Sequence, residues 1–485
     1  MKHKLFSIIS FLILIALSRT SYAQPDTLWT KTFGGSADEE CFSLQMTQDG
    51  GYILSGYSES FGAGDKDVWL IKTDADGDTT WTKTHGGTGE DVGNCVQQTS
   101  DDGFIVAGYT RSFGAGQRDV WLLKTDADGD TAWTKTFGKS GHDHGFSVQQ
   151  TGDGGYIITG DTFSDASGSL DLWLIKTDAS GDTLWTKTFD GTSYERGQSV
   201  QQTDDGGYIV TGYTDSHGAG STDVWLIKTD ELGNEEWTKT YGGDQYDKGY
   251  AIKQTSDGGY IIAGFNKSYG PGIEDVWLLK TDASGDTVWT KLYGGIENDE
   301  SKSVEQTSDG GYIVTGHETS GGSHNLWIIK TDAAGDTSWT KKLGGDQNDF
   351  GNAVQQTSDL GYIVAGTTES SGNGKKDIWL IRLAHESELS VVSGKLTPNG
   401  FVLMQNFPNP FNPVTTIQYS LDKSGFVTLT LYNVHGREIH QLVNEQKEAG
   451  LYRTVVDVKD LSSGLYYYRL TVNGHHETKK MMQVK

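Results

Sequence analysis

The fold of this chain is decided by a repeated stretch that reads VWLIKTD at residues 68–74 and, after a short turn, WTKT at residues 81–84. Each part holds one tryptophan, and successive copies lie 52 residues apart, with one step of 50 residues in each series. The first series is Trp69, Trp121, Trp173, Trp225, Trp277, Trp327 and Trp379. The second series is Trp29, Trp81, Trp133, Trp185, Trp237, Trp289 and Trp339. A fixed period of this length is typical of propellers and solenoids.

One complete copy, residues 85–136, contains four short strand patterns separated by turns rich in Gly and Asp. These patterns fall around Cys95, Phe104, Trp121 and Trp133, and the copy shows no helical periodicity. Four antiparallel strands form one blade, so the repeats predict an all-β fold, a seven-bladed β-propeller with few free sheet edges. The flat tryptophan rings are expected to pack between neighbouring blades.

The order of the strands predicts how the ring closes. The repeats begin with a lone fourth strand around Trp29 and end on a third strand around Trp379, with no fourth strand after it. We therefore expect the N-terminal strand to complete the last blade, which covers an edge that would otherwise invite pairing with other chains.

The N-terminus has the pattern of an export signal. Lys2 and Lys4 precede an apolar run over residues 5–17, and Ser21 and Ala23 fit a small-x-small cleavage site. We predict a signal peptide over residues 1–23, cleaved near Ala23. The apolar run is too short to be a membrane span, so we expect no transmembrane segment in the mature chain.

Export permits disulfide formation, and the sequence holds two cysteines, Cys41 and Cys95. In repeat register they lie two residues apart on equivalent strands of neighbouring repeats. A bridge needs Cα atoms within about 7 Å, so bridged and free cysteines both remain open at this point.

The net charge of −26 lies almost entirely in the repeats. From residue 384 onward, 10 Lys and Arg residues stand against 9 Asp and Glu residues. An acidic surface repels nucleic acid and anionic membranes and favours solubility or cationic partners. We therefore expect no nucleic-acid partner.

One acidic position recurs in all seven copies, just before the strand expected nearest the central axis. It is occupied by Glu39, Asp91, Asp143, Glu195, Asp247, Asp299 and Asp349. Seven carboxylates around a channel mouth could attract a metal ion such as Ca²⁺, or a cationic group. The alternative is that each carboxylate accepts backbone hydrogen bonds and supports its own loop.

The Asp-rich turn between the third and fourth strands superficially resembles a calcium loop. The first copy reads DADGD at residues 74–78, but the middle Asp is replaced by Leu232 in another copy. A calcium loop also needs a later Glu and another Gly position. A hairpin turn with Gly in a left-handed conformation explains the stretch better.

Ligand specificity is expected where the repeats differ from one another. His142, Tyr194 and Tyr246 each stand immediately before one of the recurring acids. A second loop carries an aromatic side chain at one aligned position in four copies, Phe61, Phe113, His217 and Tyr269. Exposed aromatic rings beside acids and amides suit carbohydrate binding, whereas the alternative is that these loop tips pack on themselves. The candidate ligand-binding residues are the seven recurring acids with His142, Tyr194 and Tyr246.

The repeats contain no sequence motif of a known catalytic site. There is no Gly-x-Ser-x-Gly elbow, no zinc-type His cluster and no phosphate-binding loop. The paired acids of a glycosidase are defined by their separation in three dimensions. We therefore predict a binding or scaffold module, with a polysaccharide-active enzyme that uses acids of the same face as the alternative.

The pattern changes after the last repeat. We predict a propeller over residues 24–383, a linker over residues 384–400 and a second all-β unit over residues 401–485. Six or seven short strands in this last unit predict an immunoglobulin-like β-sandwich.

Ordered motifs in this last unit carry a family resemblance. They are FPNPFNP at residues 407–413, TTI at 415–417, LYNVHGR at 431–437, LSSGLY at 461–466 and KKM at 479–481. The unit resembles a type A sorting domain of the type IX secretion (Por) system. This resemblance implies that the secretion machinery is a partner of residues 401–485 and that the protein is released or attached to the cell surface, commonly with removal of the domain. The repeats resemble propeller repeats of secreted bacterial proteins with such tails and, more loosely, quinoprotein-like propellers.

Overall fold

The computed structural model describes residues 24–163 and 168–386, together with residues 401–404, 406, 414–421, 423–448, 450–457, 459 and 461–483. The predicted signal peptide and residues 387–400 of the predicted linker lie outside the described residues, which form strands and no helix. The chain divides into two compact units, one ending at Leu389 and the other beginning at Ser390.

The first unit is an all-β propeller of seven four-stranded antiparallel sheets, as predicted. Strand β1 (Thr27–Phe33) precedes the first blade. Blades 1 to 4 consist of β2 (Glu39–Met46), β3 (Tyr52–Ser58), β4 (Asp67–Thr73), β5 (Thr79–His85), β6 (Asp91–Gln98), β7 (Phe104–Thr110), β8 (Asp119–Thr125), β9 (Thr131–Phe137), β10 (Asp143–Gln150), β11 (Tyr156–Phe163), β12 (Leu170–Thr177), β13 (Thr183–Phe189), β14 (Glu195–Gln202), β15 (Tyr208–Thr214), β16 (Asp223–Thr229) and β17 (Glu235–Tyr241). Blades 5 to 7 contain β18 (Asp247–Gln254), β19 (Tyr260–Asn266), β20 (Asp275–Thr281), β21 (Thr287–Tyr293), β22 (Asp299–Gln306), β23 (Tyr312–Ser320), β24 (Ser323–Thr331), β25 (Thr337–Leu343), β26 (Asp349–Gln356), β27 (Tyr362–Thr368) and β28 (Asp377–Leu383).

The N-terminal strand closes the ring, which confirms the sequence prediction. Strand β1 pairs antiparallel with β28 and forms the fourth strand of blade 7, with Thr30 opposite Ile381. The Trp29 ring of this strand then lies against Tyr52 of blade 1, with ring centroids 6.2 Å apart. The first and last blades are therefore joined by both strand pairing and aromatic packing.

The hydrophobic core lies mainly between the blades. At the first junction, Ile53 and Leu70 of blade 1 pack with Phe104 and Trp121 of blade 2. Each tryptophan of the outer strands contacts an aromatic ring of the next blade, edge-on or tilted, at centroid distances from 5.6 to 6.2 Å. Such aromatic pairs contribute about 0.5–1.5 kcal/mol each beyond the area they bury. The tryptophans are thus packing residues, as the sequence suggested.

A buried cation recurs near the end of the third strand of every blade. In blade 1 the Lys72 ammonium group donates to Asp49 at 2.7 Å and to the Thr73 carbonyl oxygen at 2.9 Å. The equivalent pairs are Lys124–Asp101, Lys176–Asp153, Lys228–Asp205, Lys280–Asp257, Lys330–Asp309 and Arg382–Asp359. We call these seven pairs the blade latches, because each joins the turn between strands one and two to strand three.

The blade latches predict a loss of stability in acid. Burial acts to raise the pKa of the latch carboxyls, but hydrogen bonds from the lysine and a threonine outweigh it and lower the pKa of Asp49, Asp153 and Asp257 to about 2. A carboxyl whose pKa is lower in the folded state stabilises the fold above its unfolded pKa of about 3.9 and loses that contribution as the pH falls. We expect the urea midpoint to fall between about pH 4 and about pH 2.

The Asp257→Asn variant is the control for this prediction. It should be less stable than the wild-type protein at about pH 4 and lose less stability on acidification, because one titrating carboxyl is gone. Burial raises the pKa of Asp119, Asp223 and Asp275, and such a group contributes stability that is fully present below its unfolded pKa and is lost as the pH rises through its folded pKa. They therefore do not disturb this pH window, and an unchanged urea midpoint would contradict the prediction.

The second unit forms two antiparallel sheets, which confirms the predicted immunoglobulin-like sandwich. Its strands are β29 (Phe401–Leu403), β30 (Val414–Leu421), β31 (Gly425–Asn433), β32 (Glu438–Lys447), β33 (Gly450–Asp457), β34 (Gly464–Val472) and β35 (His475–Gln483). One sheet has the order β29-β30-β33 and the other the order β32-β31-β34-β35. Ile417 and Tyr419 of the first sheet share a core with Leu429 and Tyr468 of the second. The proline-rich motif at residues 407–413 lies outside the described residues.

Cys41 and Cys95 are free cysteines, which answers the question that the sequence left open. Cys41 is completely buried in the cluster that joins blades 7 and 1, and burial raises the pKa of its thiol to about 12. The two residues therefore act as small packing side chains.

Candidate functional site

The loops that vary between blades lie on one face of the propeller, which we call the top face. They are the loops that precede the first and the third strand of each blade. Isolated backbone bridges hold them together across blade junctions, for example between Lys66 and Glu90 and between Thr222 and Tyr246. The top face therefore carries the candidate ligand-binding residues of neighbouring blades side by side.

The seven recurring acids are buried at the start of the first strand of each blade. Their exposed fraction is at most 1%. Asp247 shows the common pattern, because its carboxylate accepts hydrogen bonds from the backbone N–H groups of Gly243 and Lys267 at 2.8 and 2.9 Å. It also accepts from the Ser268 hydroxyl at 2.6 Å. This burial and these contacts favour the alternative in which each acid supports its loops over the one in which the carboxylates attract a metal ion or a cationic group at the channel mouth.

A second set of acids, which the sequence analysis did not single out, supports the other loops of the top face. Asp67 accepts hydrogen bonds from the backbone N–H groups of Ala63 and Gly64 at 2.8 and 3.0 Å. The equivalent residues are Asp119, Asp171, Asp223, Asp275 and Asp377, with Asn325 in blade 6. They stand at or near the start of the third strand of each blade, so the same alignment that revealed the first set could have found them.

Neither set of acids forms a metal centre. Within the described residues there is no group of three or more His, Cys, Asp or Glu side chains arranged to hold a metal ion. In the Asp-rich turn, Asp74 accepts the backbone N–H groups of Asp76 and Asp78 at 3.0 and 2.9 Å, and Gly77 has a φ of 77°. This turn has the geometry that the hairpin interpretation predicts.

In the loop that precedes the third strand, three of the four aromatic side chains pack on the tryptophan of that strand. The Phe61, Phe113 and His217 rings lie 5.3, 5.6 and 5.2 Å from Trp69, Trp121 and Trp225. Tyr269 donates its hydroxyl to the Gly242 carbonyl oxygen at 3.1 Å. These contacts favour the interpretation in which the loop tips pack on their own blade.

His142 belongs to a polar network at the junction of blades 2 and 3. Its ring is parallel to that of His144 at a centroid distance of 6.3 Å, and burial together with Arg118 lowers its pKa. The His144 Nδ1 atom is 2.7 Å from Asp161, whose other oxygen is 2.5 Å from the Arg196 Nε atom. The network therefore ends at a residue of blade 4 that reaches the neighbouring pocket.

The structure brings Tyr194 and Tyr246 together in one pocket of about 200 Å³, which we call the tyrosine pocket. Its lining residues are Leu170, Tyr194, Glu195, Arg196, Tyr213, Asp215, Thr222, Tyr246 and Lys248. Most of them come from blades 4 and 5. The exposed fractions of Tyr194 and Tyr246 are 52% and 49%, so both rings are open to a ligand.

Charged groups of both signs line the tyrosine pocket. The Lys248 Nζ atom lies 4.5 Å from the centroid of the Tyr213 ring, and Asp215 accepts the Thr222 hydroxyl at 2.6 Å. The Glu195 Oε2 atom is buried and has no hydrogen-bond partner among the described residues. Burial is the main cause that lowers the pKa of Lys248, and the nearby charge of Arg196 is the second. The pocket thus combines aromatic surface with donors and acceptors at its base.

A larger groove of about 590 Å³ lies between blades 3 and 4. It is lined by Thr188, Phe189, Asp190, His217, Trp225, Glu235, Thr238, Lys239 and Thr240. The Trp225 ring is only 4% exposed, and its indole N–H donates to Thr238 at 2.5 Å. Among the described residues, the groove therefore offers no exposed tyrosine or tryptophan ring to a ligand, and we regard the tyrosine pocket as the better candidate.

Known proteins resemble two parts of this chain. Residues 405–485 match a family described as the secretion system C-terminal sorting domain. The regulatory protein FlaEY of Caulobacter vibrioides is 26% identical over 179 residues, which cover 32% of this chain and 19% of that protein. This chain therefore spans only about a fifth of the length of that curated relative.

Solved structures of low sequence identity share part of the arrangement. A fungal alcohol oxidase in complex with copper is 12% identical, with a TM-score of 0.45 over 95% of this chain and 100% of that chain. The Pan2 WD40 domain of Neurospora crassa is 10% identical, with a TM-score of 0.45 over 73% and 91% of the two chains. Since both TM-scores are below 0.5, the fold assignment rests on the strand pairing described above.

The repeats and their closed ring define a β-propeller repeat protein. More particularly, this chain is a propeller protein with a C-terminal sorting domain of the kind that the type IX secretion system handles. The sorting domain implies secretion or attachment to the cell surface. No helix in the described part of the chain is long and apolar enough to cross a membrane.

Proposed function

We propose that the propeller is an extracellular binding module that holds a carbohydrate in the tyrosine pocket. The observation that carries this proposal is the convergence of two half-exposed tyrosine rings, Tyr194 and Tyr246, on one small cavity. Aromatic side chains with a polar end supply both apolar contact area and hydrogen bonding. Cleavage of the signal peptide near Ala23 and recognition of residues 401–485 by the secretion machinery are parts of the same proposal.

The chemistry of the pocket suits a sugar ring. Arg196 and Lys248 supply hydrogen-bond donors, and the Asp215 carboxylate supplies an acceptor, as a ligand with several hydroxyl groups requires. The volume of about 200 Å³ is below the range of about 300–1,000 Å³ that is common for sites of drug-sized molecules. We therefore expect one sugar residue of a larger glycan to enter the pocket.

The position of the pocket agrees with the variation between the repeats. The residues aligned with Tyr194 and Tyr246 in the other copies are Asp38, Glu90, His142, Asn298 and Asn348. Aromatic rings other than imidazole thus occupy this position only in two consecutive blades. Their adjacency creates a surface that the other blade junctions lack.

We expect Tyr194→Ala and Tyr246→Ala each to weaken carbohydrate binding about 30-fold. Truncation of a central aromatic residue of a binding site costs about 2 kcal/mol, which corresponds to about a 30-fold change in Kd. A glycan array first identifies an oligosaccharide that binds the wild-type propeller, and isothermal titration calorimetry then gives Kd for each variant.

Tyr269→Ala is the matched control. Tyr269 is also an exposed top-face tyrosine, at 56%, but it lies outside the tyrosine pocket and should leave Kd unchanged. A silent array, or equal affinities for all three variants, would contradict the proposal. Shortened oligosaccharides after incubation would instead favour the polysaccharide-active enzyme.

A further inference from the structure

The top face carries a row of cations near the blade junctions, and nearly all of them have an acidic partner. These pairs are Lys66–Glu59 at 3.7 Å, Arg118–Glu90 at 2.7 Å, Arg196–Asp161 at 2.5 Å, Lys267–Glu274 at 4.0 Å, Lys302–Glu300 at 2.6 Å and Lys376–Glu40 at 2.6 Å. Lys248 belongs to the same row but, among the described residues, no carboxylate oxygen lies within 4.0 Å of its Nζ atom. Lys139 and Lys375 in the loops of the same face also lack such a partner among the described residues, but both are exposed, whereas Lys248 is half-buried.

The surroundings of Lys248 do not compensate its charge. The side chain is partly buried and lies over the Tyr213 ring, with Arg196 as a second cation in the same pocket. Asp215 and Glu300 act to raise the pKa of Lys248, but burial, Arg196 and Lys302 outweigh them and the pKa is lowered. An ammonium group in this position gains when an anion enters the pocket, because a partly desolvated charge needs a partner.

We propose that Lys248 recognises an anionic group, a carboxylate or a sulfate, on the sugar residue held in the tyrosine pocket. This inference rests on the proposed carbohydrate-binding function. Arg196 forms an ion pair with Asp161 through its Nε atom, and the guanidinium group has further N–H donors that can support the same anion. The specific ligand is therefore an acidic glycan, although the protein as a whole is strongly acidic.

Calorimetry on the full propeller protein with three oligosaccharide probes tests this inference. The probes are trigalacturonate, a sulfated galactotriose and neutral galactotriose, compared at about 0.15 M salt, where long-range repulsion is screened. We expect at least one acidic probe to bind about 10-fold more tightly than the neutral probe, the size of effect that a partly buried charge pair gives. The difference between the carboxylated and the sulfated probe identifies the anion.

Two lysine variants make the test specific. Lys248→Met should weaken binding of the acidic probe about 10-fold more than binding of neutral galactotriose, so that the two affinities become equal. Lys376→Met removes a cation of the same face that is paired with Glu40 at the junction of blades 7 and 1, and it should change neither affinity. In the wild-type protein, binding of the acidic probe should also raise the pKa of Lys248 in an NMR titration of ¹³C-labelled lysine.

The outcomes separate this inference from the proposed function. Equal affinities for acidic and neutral probes, with dependence on Tyr194 and Tyr246 retained, would overturn the anion preference and leave the carbohydrate site standing. An unchanged preference for acidic probes in Lys248→Met would overturn the role of this lysine. Binding of glycans that is independent of both tyrosines would overturn the proposed function and this inference with it.

Discussion

Deletion of residues 24–34 should lower the melting temperature of the propeller by about 10 °C. The deleted segment includes β1, the fourth strand of blade 7, and removes Trp29 from its contact with Tyr52 of blade 1. Truncation of a packed tryptophan alone costs about 3–5 kcal/mol, and 1 kcal/mol shifts the melting temperature by about 2 °C in a large domain. The exposed edge of β28 should also promote association of the variant with other chains.

A circular permutant separates ring closure from the mere loss of residues. In this variant, residues 35–383 are followed by the turn sequence of residues 74–78 and then by residues 27–34. Thr27 is paired with Leu383 in the native register, so a hairpin turn of the repeat can join the two strands. The permutant should melt close to the wild-type temperature, and an unchanged melting temperature of the deletion variant would contradict closure by β1.

Asp247→Ala should destabilise the propeller by about 3 kcal/mol or more. The carboxylate satisfies backbone N–H groups of Gly243 and Lys267 and the hydroxyl group of Ser268. Each buried donor that loses its acceptor costs about 1–3 kcal/mol. A total loss of about 3 kcal/mol corresponds to a fall in the melting temperature of about 6 °C. Differential scanning calorimetry measures this shift.

Asp244→Ala is the matched control, because Asp244 lies in the same loop but is exposed. It should melt at the wild-type temperature. The loop-supporting role also predicts that calcium, added after treatment with a chelator, leaves the wild-type melting temperature unchanged. The loop-supporting role would be contradicted if Asp247→Ala melted at the wild-type temperature. It would also be contradicted if calcium raised the melting temperature of the wild-type protein, since the carboxylates would then act as ligand groups.

The fold could be predicted from the sequence because the repeat encodes each of its features locally. Two tryptophan series mark the register of the strands, and the lone strand around Trp29 reveals the closure without any knowledge of tertiary contacts. The burial of the recurring acids could not be predicted in the same way. A carboxylate before a strand is exposed or buried according to the path of the adjacent loops, which depends on backbone geometry rather than on residue type.

The candidate site could be predicted only in part. Tyr194 and Tyr246 were visible because they break the repeat beside a recurring position, whereas Arg196 and Lys248 were missed. The first strand of each blade contains an irregularity, between Gly197 and Ser199 in blade 4, and a bulge interrupts the alternation of side chains. The face to which Arg196 and Lys248 turn therefore could not be inferred from a simple alternating pattern.

The residues that stabilise the propeller differ from those proposed to bind a ligand. Features present in every copy, such as the tryptophans, the recurring acids and the blade latches, hold the ring together. The tyrosine pocket lies where consecutive copies differ from the rest, and its Tyr194 and Tyr246 rings are exposed to a ligand. The blade latches and the tyrosine pocket should accordingly respond to different substitutions, the former through stability and the latter through affinity.

The most direct test of the account is a crystal structure of the propeller soaked with the oligosaccharide that binds most tightly on the array. We predict electron density for a sugar ring between Tyr194 and Tyr246, with its acidic group beside Lys248. Density for the sugar in the groove beside His217 and Trp225, or elsewhere on the propeller, with an empty tyrosine pocket, would contradict the central claim.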